Sequence, residues 1–356
     1  MRKGMREILA ENLRQSNIKW LVGQGIKYVA IPLSMKATAG RALTGPLMGG
    51  IFVTYRCNSS CEMCHLTDRH KGPEIDTAGM KRIIDQLLEI GTSGVGFTGG
   101  EPLLREDIFE LISHARSYRI PVALSTNGIL LNKEGVIDKL IQSAPTNINI
   151  SLDGATGTTH DASRGGEGIF AKTLSGARRL AEAIKSQNSP IRLTAVTVLS
   201  EANLAELDAI VALAAETGFH RIGINPLHEI NEKTCRVIAS PELKGIADRL
   251  RSIDRLPLEN SPGYISAIEQ AFAGKPFPVE CNAGHTSIFV DPYGRVAPCL
   301  GYFQMGRWIA ETINGEGIAE IWRSPAYREL RQETARCRLC YLNCQAELSL
   351  LWKGLL

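Results

Sequence analysis

Short runs of apolar and β-branched residues alternate with longer amphipathic stretches from residue 50 to about residue 225. In one of the longer stretches, Ile83, Leu87 and Ile90 recur at helical spacing. Strands that alternate with helices predict a parallel sheet with right-handed crossovers. The predicted strands are Ile51–Tyr55, Gly94–Thr98, Val122–Thr126, Asn147–Leu152, Arg192–Val198 and Arg221–Asn225. The predicted helices are Met80–Ile90, Ile108–Tyr118, Gly135–Gln142, Phe170–Ile184 and Leu204–Thr217.

The pattern changes after residue 281, where cysteines and turn residues become frequent. Two short runs, Ser287–Val290 and Arg295–Pro298, flank the turn Asp291-Pro-Tyr-Gly294. Turn residues between two such runs predict a β-hairpin. Cys281 precedes this hairpin and Cys299 follows it, so the hairpin would bring the two cysteines together.

The composition excludes several classes of protein. The 356 residues suffice for one barrel-sized domain and a small appendage, and 44% hydrophobic with 22% charged residues is ordinary for a soluble protein. A net charge of +3 is too small to indicate nucleic-acid binding. There is no apolar run of membrane-spanning length, and we expect no secretory signal because no apolar run follows the N-terminal Met-Arg-Lys. We therefore expect a cytoplasmic protein whose nine cysteines, eight of them in two clusters, bind metal rather than form disulfides.

Cys57, Cys61 and Cys64 form a C-x3-C-x2-C motif directly after the first predicted strand. Three thiolates can hold three irons of a [4Fe-4S] cluster and leave the fourth iron open, whereas a closed cluster takes four cysteines. An open position lets a metal bind a substrate or cofactor, as in catalytic zinc sites. Zinc is the alternative occupant, because the adjacent His65 could complete a zinc site.

A second motif, Gly99-Gly-Glu-Pro102, follows the second predicted strand. Together with the cysteine motif it resembles the radical S-adenosylmethionine (SAM) superfamily, whose members cleave SAM at the open iron to a 5'-deoxyadenosyl radical. The resemblance favours iron over zinc and implies an α/β fold, a partial (β/α)6 TIM-like barrel over residues 49–240. In parallel barrels the chemistry lies at the carboxyl edge of the strands, where both motifs are expected.

The resemblance also implies a set of SAM-contacting residues. A cation near the cluster needs a buried anion, here Glu101, and close backbone approach needs glycine. Arg164, in the segment His160-Asp-Ala-Ser-Arg-Gly165, would pair with the SAM carboxylate. Met63 stands where the family usually has an aromatic residue, and its backbone would contact adenine. The candidates are Met63, Gly99, Gly100, Glu101, Pro102, Ser125, Asn127, Ser151, Asp153 and Arg164; for those at the ends of the third and fourth strands and for Arg164, a polar loop is the alternative.

The C-terminal cysteines, within residues 281–356, resemble the SPASM/twitch extension, a small hairpin-and-helix domain that binds auxiliary iron–sulfur clusters. By that resemblance, one auxiliary [4Fe-4S] cluster would be held by Cys281, Cys299, Cys337 and Cys340. Cys344 would be an alternative ligand or part of a second cluster, and a zinc ribbon is the alternative structure. The lone Cys235 is either a small buried hydrophobe or a hydrogen donor or ligand. His228, just beyond the sixth strand, would face substrate or lie in a surface loop.

Residues 1–48 are predicted to be a partly helical extension, and residues 241–280 a helical connector. The stretch from residue 20 to residue 47 mixes apolar residues with Lys27, Lys36 and Arg41. This stretch would pack across the barrel or, alternatively, make peripheral contact with a membrane surface.

The resemblance implies an oxidoreductase or maturase that takes electrons from a flavodoxin- or ferredoxin-type reductant. Its radical would abstract hydrogen from a peptide, a protein or a small molecule, because the cofactor carries the chemistry and the protein supplies orientation. Tailoring of a lipid or another membrane-associated molecule is an alternative, since residues 1–48 are basic and apolar. A non-catalytic iron–sulfur electron carrier is the alternative from another class, although a carrier would not need Glu101, Ser151 and Arg164.

Overall fold

The computed structural model of the chain describes residues 18–37, 40–64, 66–231, 234–311, 317–338 and 341–351. Six strands pair side by side in chain order and all run parallel. This is the predicted partial TIM-like barrel, and each strand lies where the hydrophobic pattern predicted one. The strands are β1 (Met48–Thr54), β2 (Val95–Gly99), β3 (Val122–Thr126), β4 (Asn147–Ser151), β5 (Arg192–Leu199) and β6 (Arg221–Pro226).

Helices follow these strands and cover the outer face of the sheet. The apolar side chains of Ile84 and Leu87 pack there in a core that also takes Ile148 and Leu193 from the strands, all fully buried. The predicted helix Leu204–Thr217 begins at Leu207, and Leu204 instead ends a preceding short helix that starts at a capping box of Ser200 and Asn203. The helices of the barrel are α2 (Thr77–Glu89), α3 (Ile108–Ser117), α4 (Val136–Ser143), α5 (Gly157–Arg164), α6 (Ile169–Ser186), α7 (Glu201–Leu204) and α8 (Leu207–Thr217), after α1 (Ile18–Ala37) at the start of the described chain.

The predicted C-terminal hairpin is present as β9 (Ser287–Val290) and β10 (Arg295–Ala297). Asp291 forms its turn, because Oδ1 accepts hydrogen bonds from the amides of Tyr293 and Arg295 at 3.0 and 2.9 Å. Strand β9 also pairs in parallel with β1, which places the hairpin in the same nine-stranded sheet as the barrel. The domain boundaries at residues 240 and 281 therefore stay a prediction.

The remaining elements connect the barrel to the C-terminal region. A short hairpin follows β6, and the remaining helices either precede β9 or follow β10 in the sequence. They are β7 (His228–Asn231), β8 (Thr234–Val237), α9 (Ile246–Arg251), α10 (Pro262–Phe272), α11 (Leu300–Gln304), β11 (Ala310–Glu311), α12 (Ile318–Arg323), α13 (Pro325–Ala335) and α14 (Asn343–Leu350). In the described ranges, every helix is too short or too polar to cross a bilayer.

Candidate active site

The cysteine loop, residues 57–64, follows β1 at the carboxyl edge of the sheet and is fastened to the end of α5. The Ser59 hydroxyl donates a hydrogen bond to the Arg164 carbonyl oxygen at 2.6 Å, and the Ser60 hydroxyl donates to the Gly165 carbonyl oxygen at 2.8 Å. Gly165 has a φ of +70°, and a Cβ there would overlap the Ser60 carbonyl. Only glycine therefore allows the loop to approach this closely.

The three thiols of the cysteine loop are half-buried. Burial raises the pKa of Cys57 to about 11 and also raises the pKa of Cys64. Over the described ranges, the structure shows no group of three His, Cys, Asp or Glu side chains arranged to hold a metal ion. Three thiols on one short loop match the donor set of a [4Fe-4S] cluster with an open iron, and a bound metal would favour their thiolate forms.

The Gly99–Pro102 turn lies directly beside the cysteine loop. The Gly100 amide donates to the Thr54 carbonyl at 2.8 Å, and the Glu101 amide donates to the Arg56 carbonyl at 2.9 Å. Gly99 and Gly100 are half-buried, whereas Glu101 and Pro102 are buried. The part of this turn that is open to a bound molecule is therefore the glycine backbone.

The Glu101 carboxylate is fully buried and holds the turn against the end of β3. Its oxygens accept hydrogen bonds from the Leu103 amide at 3.0 Å, the Thr126 hydroxyl at 2.7 Å and the Asn127 amide at 2.8 Å. Burial raises the pKa of Glu101, and these three donors oppose the rise. Three of about four acceptor positions on the carboxylate are thus occupied by the protein. Thr126 was missed from the sequence, although its place between two predicted site residues could have indicated it.

Asn127 bridges this turn and the cysteine loop. Its side-chain amide donates to Asn58 Oδ1 at 2.8 Å and lies 4.0 Å from the Cys57 sulfur. Its own Oδ1 accepts from the Ile129 amide at 3.0 Å, which fixes the orientation of the side chain. Asn127 is therefore positioned to donate toward a sulfur ligand of the cluster.

Arg164 points from the end of α5 toward the cysteine loop. Its Nη2 lies 2.6 Å from Asp153 Oδ2, and its guanidinium also forms a hydrogen bond with the Cys61 side chain. Its Nε is buried and has no hydrogen-bond partner in the described part of the chain. A buried donor without a partner is costly, so this atom fits an anionic group such as the carboxylate of SAM.

Asp153 lies behind Arg164, and its assignment as a cofactor-binding residue stays a prediction. Its side chain is fully buried, and its other oxygen accepts from the Val198 amide at 2.8 Å. The Asp153 amide in turn donates to Nδ1 of His160 at 3.2 Å. Burial, together with the Arg164 charge, lowers the pKa of His160 to about 4, so this ring is a neutral acceptor. Asp153 thus positions Arg164.

A cavity of about 660 Å³ runs through the inside of the barrel. At the carboxyl edge it is lined by Met63 and Cys64 together with Ser125 and Ser151, four residues that the sequence assigned to the site. The other predicted cofactor residues lie outside this lining, around the cysteine loop. The opposite wall comes from the C-terminal region and includes Asn343 and Cys344.

Comparison with protein families agrees with this geometry. The Radical SAM superfamily model matches residues 51–214, and the model of the iron–sulfur cluster-binding SPASM domain matches residues 281–345. The chain is a radical SAM enzyme with a SPASM domain. The enzyme therefore uses SAM and a [4Fe-4S] cluster, and its SPASM domain indicates auxiliary iron–sulfur clusters.

Two relatives and one solved structure are similar to this chain. The S-adenosylmethionine-dependent heme synthase of Methanosarcina barkeri is 27% identical over 81% of this chain and 86% of its own length. The PqqA peptide cyclase of Rhodopseudomonas palustris is 29% identical over 78% of this chain and 74% of its own. Streptococcus suis SuiB bound to S-adenosylmethionine has a TM-score of 0.65 at 18% identity, over 88% of this chain and 76% of its own, so it shows the same fold.

Hydrogen bonds bring together the segments that carry the C-terminal cysteines of the enzyme. The Thr334 hydroxyl donates to the Ala283 carbonyl at 2.9 Å, which brings together the segments of Cys281 and Cys337. The Ser287 hydroxyl lies 2.7 Å from the Pro298 carbonyl and 2.6 Å from Gln345 Oε1, next to Cys299 and Cys344 respectively. These four thiols are half-buried. Cys340 lies outside the described residues, so the ligand set stays a prediction.

His228 lines the cavity, but both of its ring nitrogens are engaged by the protein. Nδ1 lies 2.8 Å from the Pro226 carbonyl, and Nε2 accepts from the Tyr341 amide at 3.2 Å. Burial lowers the pKa of His228 to about 4, so the ring is neutral and joins the barrel to the C-terminal region. Cys235 lies in β8, and its side chain is outside the described part of the structure.

Proposed function

We propose that this enzyme produces a 5'-deoxyadenosyl radical and uses it to abstract a hydrogen atom from a peptide held in the barrel cavity. Cys57, Cys61 and Cys64 would hold the [4Fe-4S] cluster, which would supply the electron for cleavage of SAM to methionine and the radical. Arg164 would hold the SAM carboxylate, and the Gly99–Gly100 backbone would accept from its amino group. In the cell, a flavodoxin- or ferredoxin-type protein would provide the electron.

The observation that carries the proposal is the position of Arg164. It is a buried cation with one unsatisfied donor, it contacts Cys61, and it is held in place by Asp153. An electron carrier would gain nothing from such a donor, because its cluster needs no bound amino acid group. Hydrogen transfer to the radical gives 5'-deoxyadenosine and a substrate radical. Net oxidation then needs an electron acceptor, which the C-terminal cysteines could provide through an auxiliary cluster.

The proposed peptide substrate rests on the relatives. One is named a peptide cyclase, and a structure of SuiB contains its precursor peptide SuiA. A small molecule is the second candidate, supported by the heme synthase. The ion pair of Arg221 and Glu259, 2.6 Å apart, lies in the lining of the cavity, which also includes amide side chains such as Asn149. Polar groups of this kind suit the backbone of a peptide.

Anaerobic reconstitution with iron and sulfide, followed by SAM and dithionite, tests the proposal. Wild-type protein should form 5'-deoxyadenosine and bind about eight irons, and a triple alanine variant at Cys57, Cys61 and Cys64 should form none and keep about four. Nucleoside formation that survives the triple substitution would refute the assignment of this cluster.

An Arg164→Lys variant distinguishes an enzyme from an electron carrier. Lysine keeps the charge but cannot reproduce the fork of donors. Loss of a charged hydrogen bond of about 1.5–3 kcal/mol should weaken SAM binding by roughly 10- to 150-fold while the iron content stays unchanged. Unaltered SAM binding in this variant would contradict the role given to Arg164.

A further inference from the structure

Helix α1 differs from the other helices of the barrel, because a row of its apolar side chains lies on the exposed face. One of its faces, with Lys27 and Ser34 alongside Ile31, is buried against the protein. The opposite face presents Val22, Ile26, Val29 and Leu33, which are between 50% and 59% exposed. The spacing of these four residues, four, three and four positions, forms one continuous apolar stripe along the helix.

The polar side chains on the buried face of α1 have hydrogen-bond partners in the protein, which supports the observed orientation of the helix. Lys27 Nζ donates to the Pro46 carbonyl at 2.8 Å and to Ser93 Oγ at 2.7 Å, and it also contacts the Gly91 carbonyl. The Ser34 hydroxyl accepts from the Leu43 amide at 3.0 Å. Because rotation of α1 would bury its apolar stripe only by breaking these bonds, the stripe is fixed facing outward.

Within the described part of the chain, the apolar stripe belongs to the main exposed hydrophobic patch. Of the nine large hydrophobic side chains exposed in the described part of the chain, six lie between residues 22 and 43. Scattered exposed hydrophobic residues need no explanation, but a contiguous group indicates a contact surface.

The charge around the stripe distinguishes between possible occupants of this surface. Residues 1–41 contain eight lysines and arginines against two glutamates, a net charge of +6, or +5 without the buried Lys27, whereas the whole chain carries only +3. The exposed Lys36 continues the stripe three residues after Leu33. A second copy of this segment would repel the first, while an anionic surface would attract it. An apolar stripe flanked by basic residues is the pattern of helices that lie in the interface of a bilayer.

We propose that the outward face of α1 docks on a bilayer that contains anionic phospholipids. The four apolar side chains would enter the boundary between headgroups and acyl chains, and the basic residues would contact the headgroup phosphates. Helix α1 packs on residues that precede β1 and β2, so docking would occur at the amino edge of the barrel. The cysteine loop lies at the other edge and would stay accessible to a reductant.

Sedimentation of the full-length protein with lipid vesicles tests the docking surface. We expect binding to vesicles of phosphatidylglycerol and phosphatidylcholine at low salt, and binding at least roughly tenfold weaker to phosphatidylcholine alone or at high salt. The double variant Ile26→Ser/Val29→Ser should lose roughly tenfold or more in partitioning. A matched control, Tyr118→Ser/Ile238→Ser, removes two exposed hydrophobic residues outside the patch and should bind as wild type.

Circular dichroism would show that both double variants remain folded. Failure of the wild-type protein to bind anionic vesicles would refute the proposal, as would an equal loss of binding in the control. Light scattering provides the other decisive outcome. A wild-type dimer that Ile26→Ser/Val29→Ser converts to a monomer would assign the stripe to a second copy of the chain and refute lipid docking.

Discussion

The buried ion pair of Arg164 and Asp153 predicts a large effect from one nearly isosteric substitution. The two side chains are 12% and 0% exposed, and their closest atoms are 2.6 Å apart. Asp153→Asn removes the negative charge and leaves the guanidinium uncompensated. Breaking a buried pair in this way costs about 3–5 kcal/mol. Because asparagine can still accept from the Val198 amide, we expect a loss near the lower end, about 3 kcal/mol of the free energy of unfolding.

Urea denaturation under anaerobic conditions measures this loss, and the chain offers a matched control. Asp208 lies 2.8 Å from Arg249 but is 72% exposed, so Asp208→Asn should cost less than about 1 kcal/mol. A double-mutant cycle with Arg164→Met isolates the pair, because removing both partners should cost much less than the sum of the single losses. Additive losses, or an Asp153→Asn effect no larger than that of the surface control, would refute the assigned pairing.

Two further predictions concern α5 and the glycine that follows it. Gly165→Ala should prevent iron loading, since the new Cβ would displace the Ser60 carbonyl. Gly168 has the same φ of +70° but open space around it, so Gly168→Ala should load iron normally. Iron content and absorbance distinguish the two variants. Because the pKa of His160 is lowered to about 4, stability is present above pH ~6.5 and is lost as pH falls toward 4. Non-titrating His160→Asn should therefore lose about 2 kcal/mol less than wild type between pH 7 and pH 5, and equal losses by urea denaturation would contradict this.

The barrel was predictable because its signals are local. Strand β3 was predicted with its observed bounds, Val122–Thr126, from a short apolar run. The cysteine loop and the Gly99–Pro102 turn each follow a strand, and parallel strands bring such loops to one edge whatever the details of packing. The turn residues Asp291 and Gly294 likewise predicted the hairpin correctly.

What the sequence left out depends on contacts between distant residues. No local sequence pattern indicates that Asp153 pairs with Arg164 or that Thr126 donates a hydrogen bond to Glu101. Both contacts depend on how the strand ends meet. The burial of Lys27 is a similar case, since three oxygen atoms from two separate loops surround its ammonium group. Polar residues in these settings look like surface residues in the sequence, and only the fold shows that they are structural.

The C-terminal region completes the barrel as well as carrying cysteines. A six-stranded parallel sheet leaves β1 and β6 as free edges, and the C-terminal region bonds to both. Strand β9 pairs with β1, while the Asn343 amide donates to Asn225 Oδ1 at 3.2 Å and the Tyr341 amide donates to His228. The region therefore spans the gap between the first and last strands and forms one wall of the cavity. Because Cys344 lies in that wall and Cys64 lines the same cavity, any substrate held there would lie between the two cysteine-rich regions.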